Sequence, residues 1–116
     1  MTISSITCSG NTAKPGSDIY NSNGILNIGG RIGSSVDIYM NNTTSNTSQA
    51  LVPQQGITLA SVTDTINVTM YSCSKGTPVL TQSAGMTTFD FAAAINCFTL
   101  TNNGFAIGSN GTAVTQ

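Results

Sequence analysis

The residues that could carry out chemistry are few in this chain of 116 residues. It has no His and no Glu, so the usual serine and cysteine triads cannot be built. Asp37 and Asp64 lie in separate strand-like segments, and a pair of carboxylates can support glycoside hydrolysis. Isolated, solvated aspartates beside strands are the more ordinary interpretation of both. The sequence therefore predicts that the protein is not an enzyme and that it uses no cofactor.

Three cysteines are the second group with possible chemistry. Cys8, Cys73 and Cys97 cannot all pair within one chain, and an odd cysteine in an extracellular protein indicates an intermolecular bridge or a reactive thiol. Their spacing fits no C-x-x-C pattern and no His could complete a zinc site, so no metal site is predicted. The alternative is that all three thiols are reduced, buried and inert. Cys8 is the strongest candidate for an intersubunit bridge because it lies in a loosely patterned N-terminal segment.

The scarcity of charge is the most informative feature of the composition. Charged residues make up 6% of the chain, against about 25% in an average soluble protein. They are Lys14, Asp18, Arg31, Asp37, Asp64, Lys75 and Asp90. Three scattered basic residues cannot neutralise a track of phosphates, which excludes nucleic acid as a partner. A net charge of −1 also gives little self-repulsion, so we expect a surface that tolerates neighbouring copies.

Targeting signals are not evident in the sequence. No segment approaches the roughly 20 apolar residues that cross a bilayer, so no membrane span is predicted. The first eight residues have neither the basic nor the apolar region of a signal peptide. We expect an extracellular or cell-surface location, including a spore or virion surface. The protein would reach it after removal of a signal or by a route that needs none.

Alternation of apolar and polar residues dominates the chain and indicates strands. In segment 64–73, Ile66, Val68 and Met70 fall on one face, and segment 36–40 alternates in the same way. The other candidate strands are residues 3–8, 25–28, 57–62, 77–81, 87–91, 95–100, 105–107 and 112–115. Segment 91–96 is the one possible helix, and a buried strand explains it equally well.

Turn signals separate these candidate strands at short intervals, and Asn-Gly pairs such as Asn110-Gly111 are the strongest of them. About eight short strands with turns every 8–12 residues predict an all-β fold, an antiparallel β-sandwich of the jelly-roll or Ig-like kind. Residues 41–50 are almost wholly polar and are expected to form an exposed loop.

The first twenty residues are patterned less regularly than the rest. We interpret residues 1–20 as an N-terminal arm or connector and residues 21–116 as the sandwich domain. Ile3 and Ile6 would then contact a neighbouring subunit rather than their own core. An extended arm can add a strand to an exposed sheet edge of the next subunit. Such a heterologous contact does not close, so it propagates into a filament.

The layout of the chain resembles that of the jelly-roll subunits of bacterial endospore appendages. The matching positions are Cys8 in the arm and the segments 36–39, 51–53, 56–59 and 66–68. The resemblance implies a structural subunit that assembles with copies of itself into an extracellular filament by N-terminal strand donation. A disulfide from Cys8 to Cys73 or Cys97 of a neighbour would lock the joint. Donor-strand pilus-like filaments share this logic.

Two other functions fit the same sequence. A virion coat, tube or decoration protein would also combine low charge with many strands. A lectin-like adhesion module would use Asp, Asn and Tyr side chains, because polar groups and aromatic faces suit a surface glycan with its many hydroxyls.

Overall fold

The computed structural model describes residues 2–4, 19–21, 25–33, 35–42 and 50–116, and for residues 2–4 it describes the backbone. The described residues form one helix and a series of short strands. The elements are β1 (Thr2–Ser4), β2 (Ile19–Asn21), β3 (Ile25–Gly29), β4 (Arg31–Ile32), β5 (Val36–Met40), β6 (Ala50–Pro53), β7 (Thr58–Leu59), β8 (Ile66–Met70), α1 (Thr88–Ile95), β9 (Phe98–Leu100), β10 (Phe105–Ile107) and β11 (Ala113–Thr115). The strands from β1 to β9 pair in parallel, whereas β10 and β11 pair in antiparallel fashion.

The parallel strands form three stacks. Stack A is β2-β5-β8-β9, stack B is β1-β3-β6, and stack C is β4-β7. The chain visits them in rotation, β2 to β3 to β4 and then β5 to β6 to β7, so each turn of chain lays its strands beside those of the turn before. This is the architecture of a short parallel β-helix. Its turns are of unequal length, since Ile19, Ile38, Val68 and Leu100 occupy equivalent positions.

The core is built from rows of side chains at equivalent positions of successive turns. In stack A, Ile38, Val68 and Leu100 stack in one row, and they are 1%, 0% and 7% exposed. A second row contains buried Ile66 between Val36 and Phe98. Alternate residues of β5 and β8 are buried, which confirms the alternation predicted from the sequence.

The segment between β8 and β9, which is the third turn of the β-helix, covers the ends of stacks B and C but not the end of stack A. The Thr81 N–H donates to the Leu51 carbonyl at 2.9 Å, which covers the edge of β6. Helix α1 lies beside residues 55–58, which lead into β7, and the Gln55 side-chain amide donates to Asp90 at 2.7 Å. Stack A instead continues into β9. At this end of the β-helix, stack A therefore extends further than stacks B and C, whose last strands are β6 and β7.

Helix α1 replaces the strand predicted at residues 87–91, so that prediction is wrong. The Thr87 hydroxyl accepts a hydrogen bond from the Asp90 N–H at 3.0 Å and caps the helix. Phe91, Ala94 and Ile95 are buried on one side, which is the spacing of a helical face. Helix spacing and strand alternation are hard to separate over so short an apolar segment.

The predicted antiparallel sandwich, whether jelly-roll or Ig-like, is also wrong. Among the described strands, β10 and β11 are the one antiparallel pair, and residues 108–112 between them include the predicted Asn110-Gly111 turn. The other turns lead the chain to a different stack rather than back along the same sheet. Alternation shows that one face of a strand is buried, but it carries no information on the direction of its neighbour, so both folds fit the same pattern.

Side-chain amides extend the pairing where a strand ends. Asn102 accepts a hydrogen bond from the Met70 N–H at 2.8 Å and donates to the Met70 carbonyl at 2.9 Å. Asn42 forms the same reciprocal pair with the backbone of Ser72, at 2.9 and 2.8 Å. An amide side chain thus forms the hydrogen bonds that a neighbouring strand would form, and the backbone groups at the strand end keep their partners.

Substituting Asn102 by Ala is expected to lower the free energy of unfolding by about 1–3 kcal/mol, because both polar backbone groups of Met70 lose a partner. Urea denaturation followed by circular dichroism measures the loss. The control is Asn103→Ala next to it, an exposed position at which we expect a change within about 0.5 kcal/mol. Equal losses for the two variants would show that the Met70 contacts do not contribute.

Candidate functional site

The described cysteines are free thiols in protected positions. Cys97 is buried at 9% exposure and its Sγ lies 3.8 Å from the Ile57 carbonyl, while Cys73 is half-buried. Burial raises the pKa of both thiols above the ordinary value, since removal from water disfavours the thiolate. Cys8, the predicted bridging residue, lies outside the described residues, and its pairing stays a prediction.

Cys73 is expected to react with iodoacetamide several-fold faster than Cys97 in the folded protein. The thiolate is the nucleophile, so a raised pKa lowers the rate at neutral pH for both, and the deeper burial of Cys97 lowers it further. Both rates should increase as the pH rises towards the raised pKa values. Mass spectrometry of peptides from a time course measures this, with urea-unfolded protein as the control. Equal native rates would contradict the burial of Cys97.

The predicted arm falls largely outside the described residues. Ile3 is in β1, which pairs in parallel with β3 of its own chain, with Ile3 opposite Ile28. Ile6 is not described. The boundary at residue 20 and the contacts of Ile3 and Ile6 with a neighbour stay predictions.

The two ends of stack A are strand edges whose backbone groups point away from the protein's own sheet. The Asn21 carbonyl accepts from the Asn41 N–H, so it faces β5, and the N–H and carbonyl of Tyr20 face the opposite way. In β9, the Cys97 carbonyl and the Thr101 N–H bond to β8, so the backbone groups of Phe98 and Leu100 point outwards. Within the described ranges, β2 pairs with β5 alone and β9 with β8 alone.

A cleft of about 270 Å³ lies along the outer edge of β9. Its apolar lining comes from Ile95, Phe98, Leu100, Phe105 and Ile107, and Thr99, Asn96 and Gln116 add polar groups. The three residues of β10, on the far side of the cleft, are each half-buried. Backbone donors and acceptors of β9 therefore face a partly apolar cleft, and Cα atoms of β10 on its far side come within 8 Å of those of β9.

The edge strands of stack A lack the charge and the proline that commonly protect an exposed edge. Exposed edges are commonly protected by charge or proline, and stack C follows this rule with Arg31 in its edge strand β4. The sequences of β2 and β9, Ile-Tyr-Asn and Phe-Thr-Leu, contain neither. Sequence analysis missed Tyr20, Phe98 and Leu100 as site residues, and it predicted a strand at residues 95–100 but none at residues 19–21.

The solvent-facing side of stack A carries aromatic and polar side chains in rows. The rings of Tyr20 and Tyr39 stack in parallel, with centroids 5.3 Å apart and planes at 3°. In the neighbouring row, the Asn67 side-chain amide donates to Asp37 at 2.8 Å. Asn41 donates to the Tyr20 hydroxyl at 3.0 Å. These contacts hold the side chains of the face in a fixed arrangement.

Two other kinds of site were sought in the part of the chain that the structure describes. No group of three or more His, Cys, Asp or Glu side chains there could hold a metal ion. The one helix that these residues form is not long and apolar enough to cross a membrane. Comparisons with protein families, curated proteins and solved structures find no match for this chain.

Proposed function

We propose that the chain is a structural, non-enzymatic subunit that assembles with copies of itself into an extracellular or cell-surface filament. The observation that carries the proposal is that stack A ends in an uncharged strand edge at each end of the β-helix. Two different edges on one subunit make a head-to-tail contact possible, and a contact of this kind repeats without closing. A low charge favours such contacts because neighbouring subunits repel one another weakly.

Strand addition is the proposed mechanism of assembly. An edge strand of one subunit supplies backbone hydrogen bonds to the edge of another, and the apolar lining of the cleft gives this contact side-chain specificity. Donation of the N-terminal segment and a bridge through Cys8 remain part of the proposal as an additional link between subunits.

Negative-stain electron microscopy of the purified full chain tests the function. We expect filaments of uniform width under oxidising and reducing conditions alike, because the backbone pairing does not need a disulfide. Filaments under oxidising conditions alone would show that the cysteines carry the joint. Dispersed particles in both conditions would contradict the filament, and closed shells would favour a virion coat protein.

A glycan-binding module is the second candidate, and the stacked pair Tyr20 and Tyr39 favours it. Aromatic faces pack against the apolar faces of sugar rings, and the adjacent Asp37 and Asn67 offer polar groups to hydroxyls. Binding on a glycan array that is lost in Tyr39→Ala would support this candidate. No binding at high protein concentration would eliminate it and leave the filament proposal unchanged.

A further inference from the structure

We infer that the cleft beside β9 receives β2 of a second copy of this chain, so that stack A continues from one subunit into the next. The inference rests on the proposed function and adds to it the interface and its register. The occupant is the protein itself because both edges belong to the same parallel stack. A copy placed head to tail presents its β2 with the same direction and the same spacing that β5, β8 and β9 already have.

The backbone groups determine how the two strands can pair. In a parallel pair, one residue bonds to the two residues that flank its partner. Tyr20 is the residue of β2 whose N–H and carbonyl point outwards, and Phe98 and Leu100 are those of β9. With Tyr20 opposite Thr99, the Tyr20 N–H donates to the Phe98 carbonyl, and the Leu100 N–H donates to the Tyr20 carbonyl.

This register also keeps the inward and outward sides of the two strands matched, with Asn21 opposite Leu100 on the inward side. The two three-residue strands overlap completely, with Ile19 opposite Phe98 on the apolar side and Tyr20 opposite Thr99 on the solvent side. Ile19 is half-buried at the end of its own core, so a neighbour that supplies Phe98 and the cleft residue Phe105 completes its burial. A shift by one residue would turn Tyr20 towards the core, which disfavours it. A shift by two residues, with Tyr20 opposite Thr101, would pair β2 with residues 100–102, of which only Leu100 belongs to β9.

Stack B also ends in an uncharged strand, β1, on the side of β2, but on the other side the edge of its last strand, β6, is covered by Thr81. Among the described residues, stack A is therefore the stack that offers an uncharged strand edge on both sides. At the β9 end, stacks B and C are covered by residues around Thr81 and by α1. At the opposite end, stack C presents Arg31, and a buried joint there would have to accommodate its charge. The charged residues of the chain are absent from β2 and β9, so burying these two strands removes no charged side chain from water.

Disulfide cross-linking tests the joint and its register. The experiment uses full-length protein in which Cys8 and Cys73 are replaced by Ser and buried Cys97 is kept. In this background, Tyr20→Cys and Thr99→Cys are combined. Three strand spacings of about 4.8 Å separate β2 from β9 within one chain, which is about 14 Å and too far for a disulfide. Any bridge between the two new cysteines is therefore intermolecular.

On mild oxidation, the double variant is expected to give a ladder of multimers on a non-reducing gel. Each single variant should stop at the dimer, because it has one new cysteine per subunit. The register control pairs Tyr20→Cys with Thr101→Cys, a solvent-facing position two residues further along, and it should give at least tenfold less ladder. A ladder that is equal or stronger in this control overturns the register.

The result that overturns the joint differs from the one that overturns the function. Filaments of the double variant without any cross-linked ladder would mean that subunits assemble through another surface, and the joint would be wrong while the function stands. Absence of both filaments and ladder, in a variant that circular dichroism shows to be folded, would overturn both.

Discussion

Replacing Gly111 by Ala is expected to lower the free energy of unfolding by about 2–5 kcal/mol. Gly111 has φ +83°, a conformation that costs other residues about 1–2 kcal/mol. Its Cβ would also clash with the Leu80 carbonyl oxygen and lie 2.9 Å from Cζ of Phe91, and such overpacking costs about 1–3 kcal/mol more. The Gly111 carbonyl accepts from the N–H groups of Val79 and Leu80, both at 2.9 Å. The clash would therefore disturb the hydrogen bonds that fix residues 79 and 80.

Gly104→Ala separates the two causes of this loss. Gly104 has nearly the same φ, +84°, but a Cβ there has no heavy atom within 4 Å. We therefore expect its substitution to cost about 1–2 kcal/mol, the conformational part alone. Chemical denaturation of both variants gives the comparison. Equal losses in the two variants would contradict the close approach of Leu80 and Phe91 to Gly111.

Replacing Ile38 by Ala is the second large effect, an expected loss of about 2–5 kcal/mol. Ile38 is 1% exposed and lies between Ile19 and Val68 in an inward row of stack A. Its removal leaves a cavity between two turns of the β-helix. Rows of this kind are the main contact between successive turns, so the cavity is expected to weaken the whole stack.

The matched control is Ile25→Ala in β3, because Ile25 is 55% exposed. The same atoms are removed there without leaving a cavity, and we expect a change within about 0.5 kcal/mol. Thermal and urea unfolding of both variants measure the difference. Similar losses at the two positions would contradict the assignment of inward and outward faces in the parallel stacks.

Local features of the fold could be predicted from the sequence. Alternation placed β5 and β8 and assigned Ile66, Val68 and Met70 to the buried side, because burial of alternate residues is a property of one strand. The direction of pairing could not be predicted, since it depends on which distant segments become neighbours. Rows such as Ile19, Ile38, Val68 and Leu100 have irregular spacing along the chain, so no repeat of fixed length signalled a β-helix.

The sequence indicated that the protein associates with copies of itself, but it did not indicate which residues form the contact. Low charge indicated association, and the same low charge is found in the edge strands β2 and β9. Cysteine counting directed attention to Cys73 and Cys97, which the fold protects from solvent. Which strands lie at an edge is decided by the tertiary structure, so Tyr20 and Phe98 had no sequence signal of their own beyond an absence of charge.

Sedimentation velocity of the wild type beside Tyr20→Pro tests the central claim, self-assembly through the ends of stack A. Proline removes the outward N–H of β2 without touching the bonds to β5, and an edge position tolerates it. We predict that the wild type forms larger species as concentration rises, that Tyr20→Pro sediments as a monomer, and that the control Tyr20→Thr assembles like the wild type. A wild type that sediments as a monomer at every concentration would contradict the account.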